Sequence, residues 1–141
     1  MEWFLTPKGE AVFGEIGCRP GGAHLVDQMN YTCDVDLFRE WARVACFGRF
    51  EGPTARRYNA AIIFKRAQGQ GRITRIEGLS GWLRQAGPWA LEERLLRPGT
   101  HRRNWKQTLL SDGHLMVRHP EWAEAHRLAM AAATDVRMFA E

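Results

Sequence analysis

Glu2 and Glu15 are the residues whose type and spacing most directly suggest chemistry. Residues 3–5 are apolar and β-prone, Thr6-Pro7-Lys8-Gly9 carries Pro and Gly at the second and fourth positions of a type I turn, and residues 10–16 resume a strand. The expected hairpin pairs Leu5 with Glu10, Phe4 with Ala11 and Glu2 with Phe13. Side chains alternate along a strand, so Phe13, Glu15 and Glu2 fall on one face, with the two glutamates diagonal neighbours roughly 7–8 Å apart at Cα. Two such carboxylates repel unless a cation lies between them. Oxygen donors suit Mg²⁺, which keeps several waters and bridges to phosphates. The geometry depends on register, because a slip of one residue sends one carboxylate to the other face. The plainer alternative is two exposed glutamates on an edge hairpin. Against it, Glu15 stands in a run that reads as buried, where an unpaired carboxylate is costly.

Arg19 follows four residues after Glu15, with Pro20-Gly21-Gly22 behind it. A guanidinium at a glycine-rich loop suits a phosphate or carboxylate, because its planar fork binds two oxygens at once. The amides of Gly21 and Gly22, ahead of a helix expected from about Ala23 to Met29, extend that anion site. The alternative is an Arg19–Glu15 ion pair with no ligand.

These residues must be positioned by the rest of the chain. Asp34 or Asp36 can cap a helix whose apolar positions Leu37, Trp41, Val44 and Ala45 recur at helical spacing, with Gly48 as its stop. Residues 60–64 form a continuous apolar run, a buried strand, and 68–71 turn the chain into a second strand over 72–77. A short helix around Trp82, a Gly-Pro break at 87–88 and a strand or helix over 89–96 follow. Ser111-Asp112-Gly113 between 108–110 and 114–118 signals another hairpin. Pro120 opens a helix with Trp122, Ala125, Leu128, Ala129 and Ala132 on one face, and Val136 to Phe139 is a closing strand. Hairpins and helices in no strict βαβ alternation indicate an α+β fold, a largely antiparallel sheet with flanking helices. Trp41 and Trp122 are expected in the core, whereas Trp82, Trp89 and Trp105 are candidates for a pocket or a domain contact.

At 141 residues and 45% hydrophobic, the chain fits one domain, 1–141, with a real core, which excludes a disordered tail. No apolar run is long enough to span a membrane, and Met1-Glu2-Trp3-Phe4 does not begin a signal peptide. Three cysteines in no ligand spacing suggest a reduced, cytoplasmic chain. The net charge of +4 comes mostly from scattered arginines. The densest basic stretch, Arg94 to Lys106 around Trp105, makes nucleic acid a minor alternative. The five histidines show no metal-ligand motif, and His24, beside the Gly-Gly loop, either packs, faces solvent or reaches a substrate.

The segment Glu2-Trp3-Phe4, the Pro-Lys-Gly-Glu turn and Phe13-Gly14-Glu15-Ile16-Gly17-Cys18-Arg19-Pro20-Gly21-Gly22 resembles the metal-binding end of the ATP-grasp superfamily, in the carboxylate–amine ligase and biotin-carboxylase-like branch. Supporting likenesses are Asp36-Leu37 before a helix, the Gly-Arg-Ile strand at 71–78 and the Asp112-Gly113 turn. The resemblance implies a C-terminal lobe in which Glu2 and Glu15 coordinate Mg²⁺ bridging ATP phosphates, while Arg19 holds the phosphoryl group or acyl phosphate. The implied reaction activates a carboxylate as an acyl phosphate, which an amine or thiol then attacks. Where many members carry a further asparagine ligand two residues after the second glutamate, this chain has Gly17, which puts a second metal in question. With Lys8, Lys65 and Lys106 as its lysines, the chain shows no ATP-clamping subdomain, and the strand at residue 3 starts without lead-in. The expectation is therefore a fragment, a truncated gene product or half of a split enzyme, inactive alone, that meets ATP and small carboxylate and amine substrates through upstream domains. Self-association is left open. The competing expectation is a non-catalytic binding or assembly module that keeps the fold.

Overall fold

The computed structural model describes residues 2–17, 21–104 and 106–141. Arg19, which carries the expected phosphate contact, and Trp105 lie outside the described residues.

The chain opens on an antiparallel hairpin of β1 (Glu2–Leu5) and β2 (Ala11–Glu15). Its turn has the type I bond, Gly9 N–H to Thr6 O at 2.9 Å, but Gly9 then takes a left-handed φ of +82°. That conformation suits glycine and adds a bulge residue, so Thr6 rather than Leu5 pairs with Glu10, through a 2.9 Å bond from Thr6 N–H to Glu10 O. The register is thus corrected by one: Leu5 faces Ala11, Phe4 faces Val12 and Trp3 faces Phe13. Every residue of both strands is exposed, which also corrects the expectation that Glu15 lies in a buried run.

Helix α1 (Leu25–Cys33) begins two residues later than expected, because Ala23 and His24 both adopt left-handed φ values of 54° and 60°. Helix α2 (Leu37–Phe47) starts and stops where its caps dictate. The Asp36 carboxylate accepts the Arg39 N–H at 3.0 Å, and Gly48 closes the helix by donating to Val44 O at 2.8 Å. Its apolar stripe is not core, however. Trp41 is 67% exposed, and the fully buried residue is Glu40, which accepts from Arg43 Nη1 and the Glu51 N–H, both at 2.8 Å.

The remaining elements are β3 (Asn59–Phe64), β4 (Gln68–Gly69), β5 (Ile73–Glu77), α3 (Leu79–Ala86), a 3₁₀ turn (Gly87–Trp89), β6 (Ala90–Glu93), β7 (His114–His119), α4 (Trp122–Thr134) and β8 (Arg137–Ala140). They build two three-stranded sheets, β3-β7-β6 and β4-β8-β5, antiparallel throughout except for the β4–β8 pair. This is the α+β architecture expected, with two differences. The runs at 60–64 and 73–77 join separate sheets instead of forming a hairpin. No strand covers 108–110, because Ser111-Asp112-Gly113 fastens loops in place of a tight turn. The buried Asp112 carboxylate accepts the Ala67 N–H at 2.8 Å and the Arg103 N–H at 2.6 Å.

The core lies where α3 and α4 cover the sheets. Ile73, Trp82, Leu115, Val117, Leu128, Val136 and Met138 are buried together. The Trp82 indole is core and donates Nε1–H to Leu128 O at 2.9 Å, whereas Trp122, expected inside, is 68% exposed. Lys65 is also buried. Its Nζ donates to Ala132 O and Ala133 O at 3.0 and 2.8 Å, meeting carbonyls at the negative end of α4. Burial pushes its ammonium below the usual lysine range, with Asp135 opposing the shift. No helix among the described residues is long and apolar enough to cross a membrane.

Candidate functional site

The first hairpin is where local backbone geometry sets two glutamates opposite each other. Beyond the Trp3–Phe13 pair, whose rings meet edge to face at 5.3 Å, a bulge at Gly14 shifts the register again. Glu2 consequently stands directly opposite Glu15. The sequence placed these residues diagonally and on the same face as Phe13; in the structure Phe13 shares its rung with Trp3. The two bulges, at Gly9 and Gly14, together move Glu2 from Phe13 to Glu15. Gly14 is suited to its place because a Cβ there would come within 2.7 Å of the Phe4 ring.

Opposed carboxylates on one rung repel, and a hard divalent cation removes that repulsion. The donor set fits Mg²⁺ in kind, since both groups offer oxygens. Among the described residues no cluster of three or more His, Cys, Asp or Glu side chains could enclose a metal. Two carboxylates with the remaining positions left to water and phosphate is the arrangement Mg²⁺ commonly adopts.

The glycine loop leads away from this pair into α1. Gly22 O accepts the Leu25 N–H at 3.1 Å, and Gly21 packs against the Leu25 side chain. Gly21 also borders a shallow apolar groove with Met29, Phe38, Trp41 and Val44. The groove continues the exposed apolar character of the hairpin, where Trp3, Phe4, Leu5 and Phe13 are all at least half exposed.

Sequence reasoning treated the histidines singly, whereas the fold pairs two of them. His24 Nδ1 lies 3.0 Å from Asp27 Oδ2, and its ring lies 4.4 Å from that of His114, ninety residues away in sequence. His114 in turn lies 3.3 Å from Glu92 Oε2, while Tyr31 O–H donates to Glu92 Oε1 at 3.0 Å. Burial acts to raise the Glu92 carboxyl, but hydrogen bonds from Tyr31 and His114 and the charges around it hold it below the usual glutamate value. The Tyr31 hydroxyl is pushed up by its burial and by Glu92. No spacing motif in the sequence signals this group, because its members come from α1, β6 and β7. The basic stretch is likewise partly engaged, with Arg97 paired to Glu93 at 2.8 Å.

No protein-family description matches the chain, and no curated protein matches it in sequence. Chains of known structure match it in three dimensions, two enzymes among them. An L-amino acid ligase from Bacillus licheniformis superposes with a TM-score of 0.70 at 16% identity, over 99% of this chain and 36% of that one. N5-carboxyaminoimidazole ribonucleotide synthetase from Thermotoga maritima superposes with a TM-score of 0.65 at 20% identity, over the same shares of the two chains. The chain therefore spans about a third of the length of these two enzymes, and it shares the α+β fold of the part of each that it matches.

Proposed function

We propose that this chain is the metal- and phosphate-binding C-terminal part of an ATP-dependent ligase that joins a carboxylate to an amine or thiol through an acyl phosphate. The observation that carries the proposal is the direct opposition of Glu2 and Glu15 on the bulged hairpin. In this reading the two carboxylates hold Mg²⁺, whose charge when bound offsets that of ATP phosphate oxygens. Arg19 and the amides of Gly21 and Gly22 hold the phosphoryl group, and a second metal is not required. The remaining parts of such an enzyme, which clamp the nucleotide and select the acid and nucleophile, meet the exposed apolar side chains of the hairpin and α2. Support for that contact comes from the 36% share of each structural neighbour and from the exposure of Phe4, Phe38, Trp41 and Phe47.

Mn²⁺ serves as a paramagnetic substitute for Mg²⁺. Added to the purified chain, it is expected to broaden backbone NMR signals of residues 2–5 and 11–17 selectively, and Glu15→Gln is expected to abolish that selectivity. Uniform broadening, or the same pattern in the variant, would refute the metal assignment. The chain by itself is expected not to hydrolyse ATP, and hydrolysis that depends on Glu15 would refute that part.

A further inference from the structure

The hairpin is not the most built-up concavity of the molecule. A cavity of about 1190 Å³ opens between the N-terminal end of α1 and the loop before β7. Its volume is somewhat above the roughly 300–1,000 Å³ usual for small-molecule sites, so a ligand would fill only part of it. The rings of His24 and His114, in tilted contact, belong to its lining, Phe64 supplies an apolar wall, and Arg66, Arg94 and Arg103 contribute guanidinium groups.

Charge balance within this cavity is uneven in a specific way. Its two carboxylates are already engaged: Asp27 by His24, and Glu92 by Tyr31 and His114, with Arg94 Nε 3.8 Å away. Among the described residues no carboxylate pairs with Arg66 or Arg103. Arg66 Nη2 reaches Leu109 O at 3.4 Å, and Arg103 Nη1 donates to Ser111 O. Carbonyl contacts orient a guanidinium without neutralising it.

The arrangement is also preorganised. The backbone of Arg103 is anchored at 2.6 Å by the buried Asp112 carboxylate. That carboxylate simultaneously ties down Ala67, the neighbour of Arg66. One buried acid therefore sets the spacing of the two chain segments that carry the unneutralised cations. Each imidazole also has a carboxylate partner, Asp27 for His24 and Glu92 for His114, and Ala23 and His24 keep their left-handed backbone at the cavity edge. Such positioning reduces the ordering cost of binding a ligand.

We propose that this cavity binds a small molecule through an oxyanion, carboxylate or phosphoryl, clasped by Arg66 and Arg103 above the paired rings of His24 and His114. Neither Glu2 nor Glu15 lines the cavity, and the proposal does not depend on the metal reading of the hairpin.

The test titrates the purified chain with inorganic phosphate and, separately, with succinate, at constant ionic strength, with chelator and without nucleotide. Calorimetry gives the affinity, and the imidazole NMR signals of His24 and His114 report the place. Saturable binding that moves both histidines is expected. The double variant Arg66→Gln/Arg103→Gln should weaken it roughly tenfold or more, about 1.4 kcal/mol. Arg84→Gln, on the exposed side of α3, should leave it unchanged. Tighter binding of phosphate assigns a phosphoryl group, and tighter binding of succinate assigns a carboxylate. The proposal is overturned if neither anion moves the histidines, if the double variant binds like the wild type, or if Arg84→Gln weakens binding equally. Thermal melts of each variant establish that it is folded. Because metal and nucleotide are excluded, failure here leaves the hairpin assignment standing, and success does not support it.

Discussion

Glu2 and Glu15 stand opposite each other on one rung of the first hairpin, a pairing of like-charged residues set by a bulge at Gly14. A sheet with no use for this contact would gain by neutralising either residue, since like charges directly opposite one another are unfavourable. In chelator, Glu15→Gln is therefore expected to leave the thermal midpoint unchanged or slightly raised. Under millimolar Mg²⁺ the order should reverse, with the wild type gaining and the variant not, because a ligand that binds the folded state stabilises it by mass action. Differential scanning calorimetry in the two buffers measures this, and a wild-type midpoint indifferent to Mg²⁺ would count against the metal pair.

Asp112 should be among the most sensitive polar residues. Its carboxylate accepts two backbone N–H groups and is fully buried, so Asp112→Ala leaves both donors without a partner. The expected loss is about 2–5 kcal/mol, with Asp112→Asn intermediate because one carbonyl oxygen persists. Denaturant unfolding of the three proteins measures the order, and equal loss in the two variants would contradict it.

The core and the exposed aromatic face should respond oppositely to truncation. Leu115→Ala or Leu128→Ala removes a side chain from the packed interior and should cost about 2–5 kcal/mol. Trp41→Ala, larger in atoms removed, should change stability by about 0.5 kcal/mol or less, because Trp41 is 67% exposed. Chemical denaturation distinguishes them, and a Trp41→Ala loss comparable to Leu115→Ala would show that α2 packs inward.

Glu92 gives stability a dependence on pH. Its folded-state value lies below the ordinary 4.5, since hydrogen bonds from Tyr31 and His114 outweigh the opposing effect of burial. A depressed carboxyl stabilises the fold above its unfolded value, and that contribution is lost as pH falls through the folded value. The thermal midpoint should therefore drop as pH is taken below 4.5. Glu92→Gln should be less stable at neutral pH and flatter across that acid range. A parallel acid profile in the variant would remove Glu92 as the cause.

Much of the local structure was determined by sequence alone, wherever a residue acts through its own backbone. Asp36 and Gly48 bound α2, and the Thr6–Gly9 turn makes a hairpin, because capping and turn chemistry operate over four residues and need no distant partner. The α+β class was legible for the same reason, and so was the nearness of Glu2 to Glu15. Their register was not. It depends on where two extra residues are accommodated, and each bulge moves the pairing by one. Tertiary structure also decided which aromatic residues lie inside. Trp41 and Trp82 both stand on amphipathic helices, but α3 packs against α4, where Trp82 finds Leu128 O, while the apolar side of α2 faces outward. The cavity owes still more to tertiary structure. Arg66 and Arg103, like His24 and His114, have no local relationship in sequence, and they line one cavity because sheet pairing and the buried Asp112 carboxylate hold distant segments side by side.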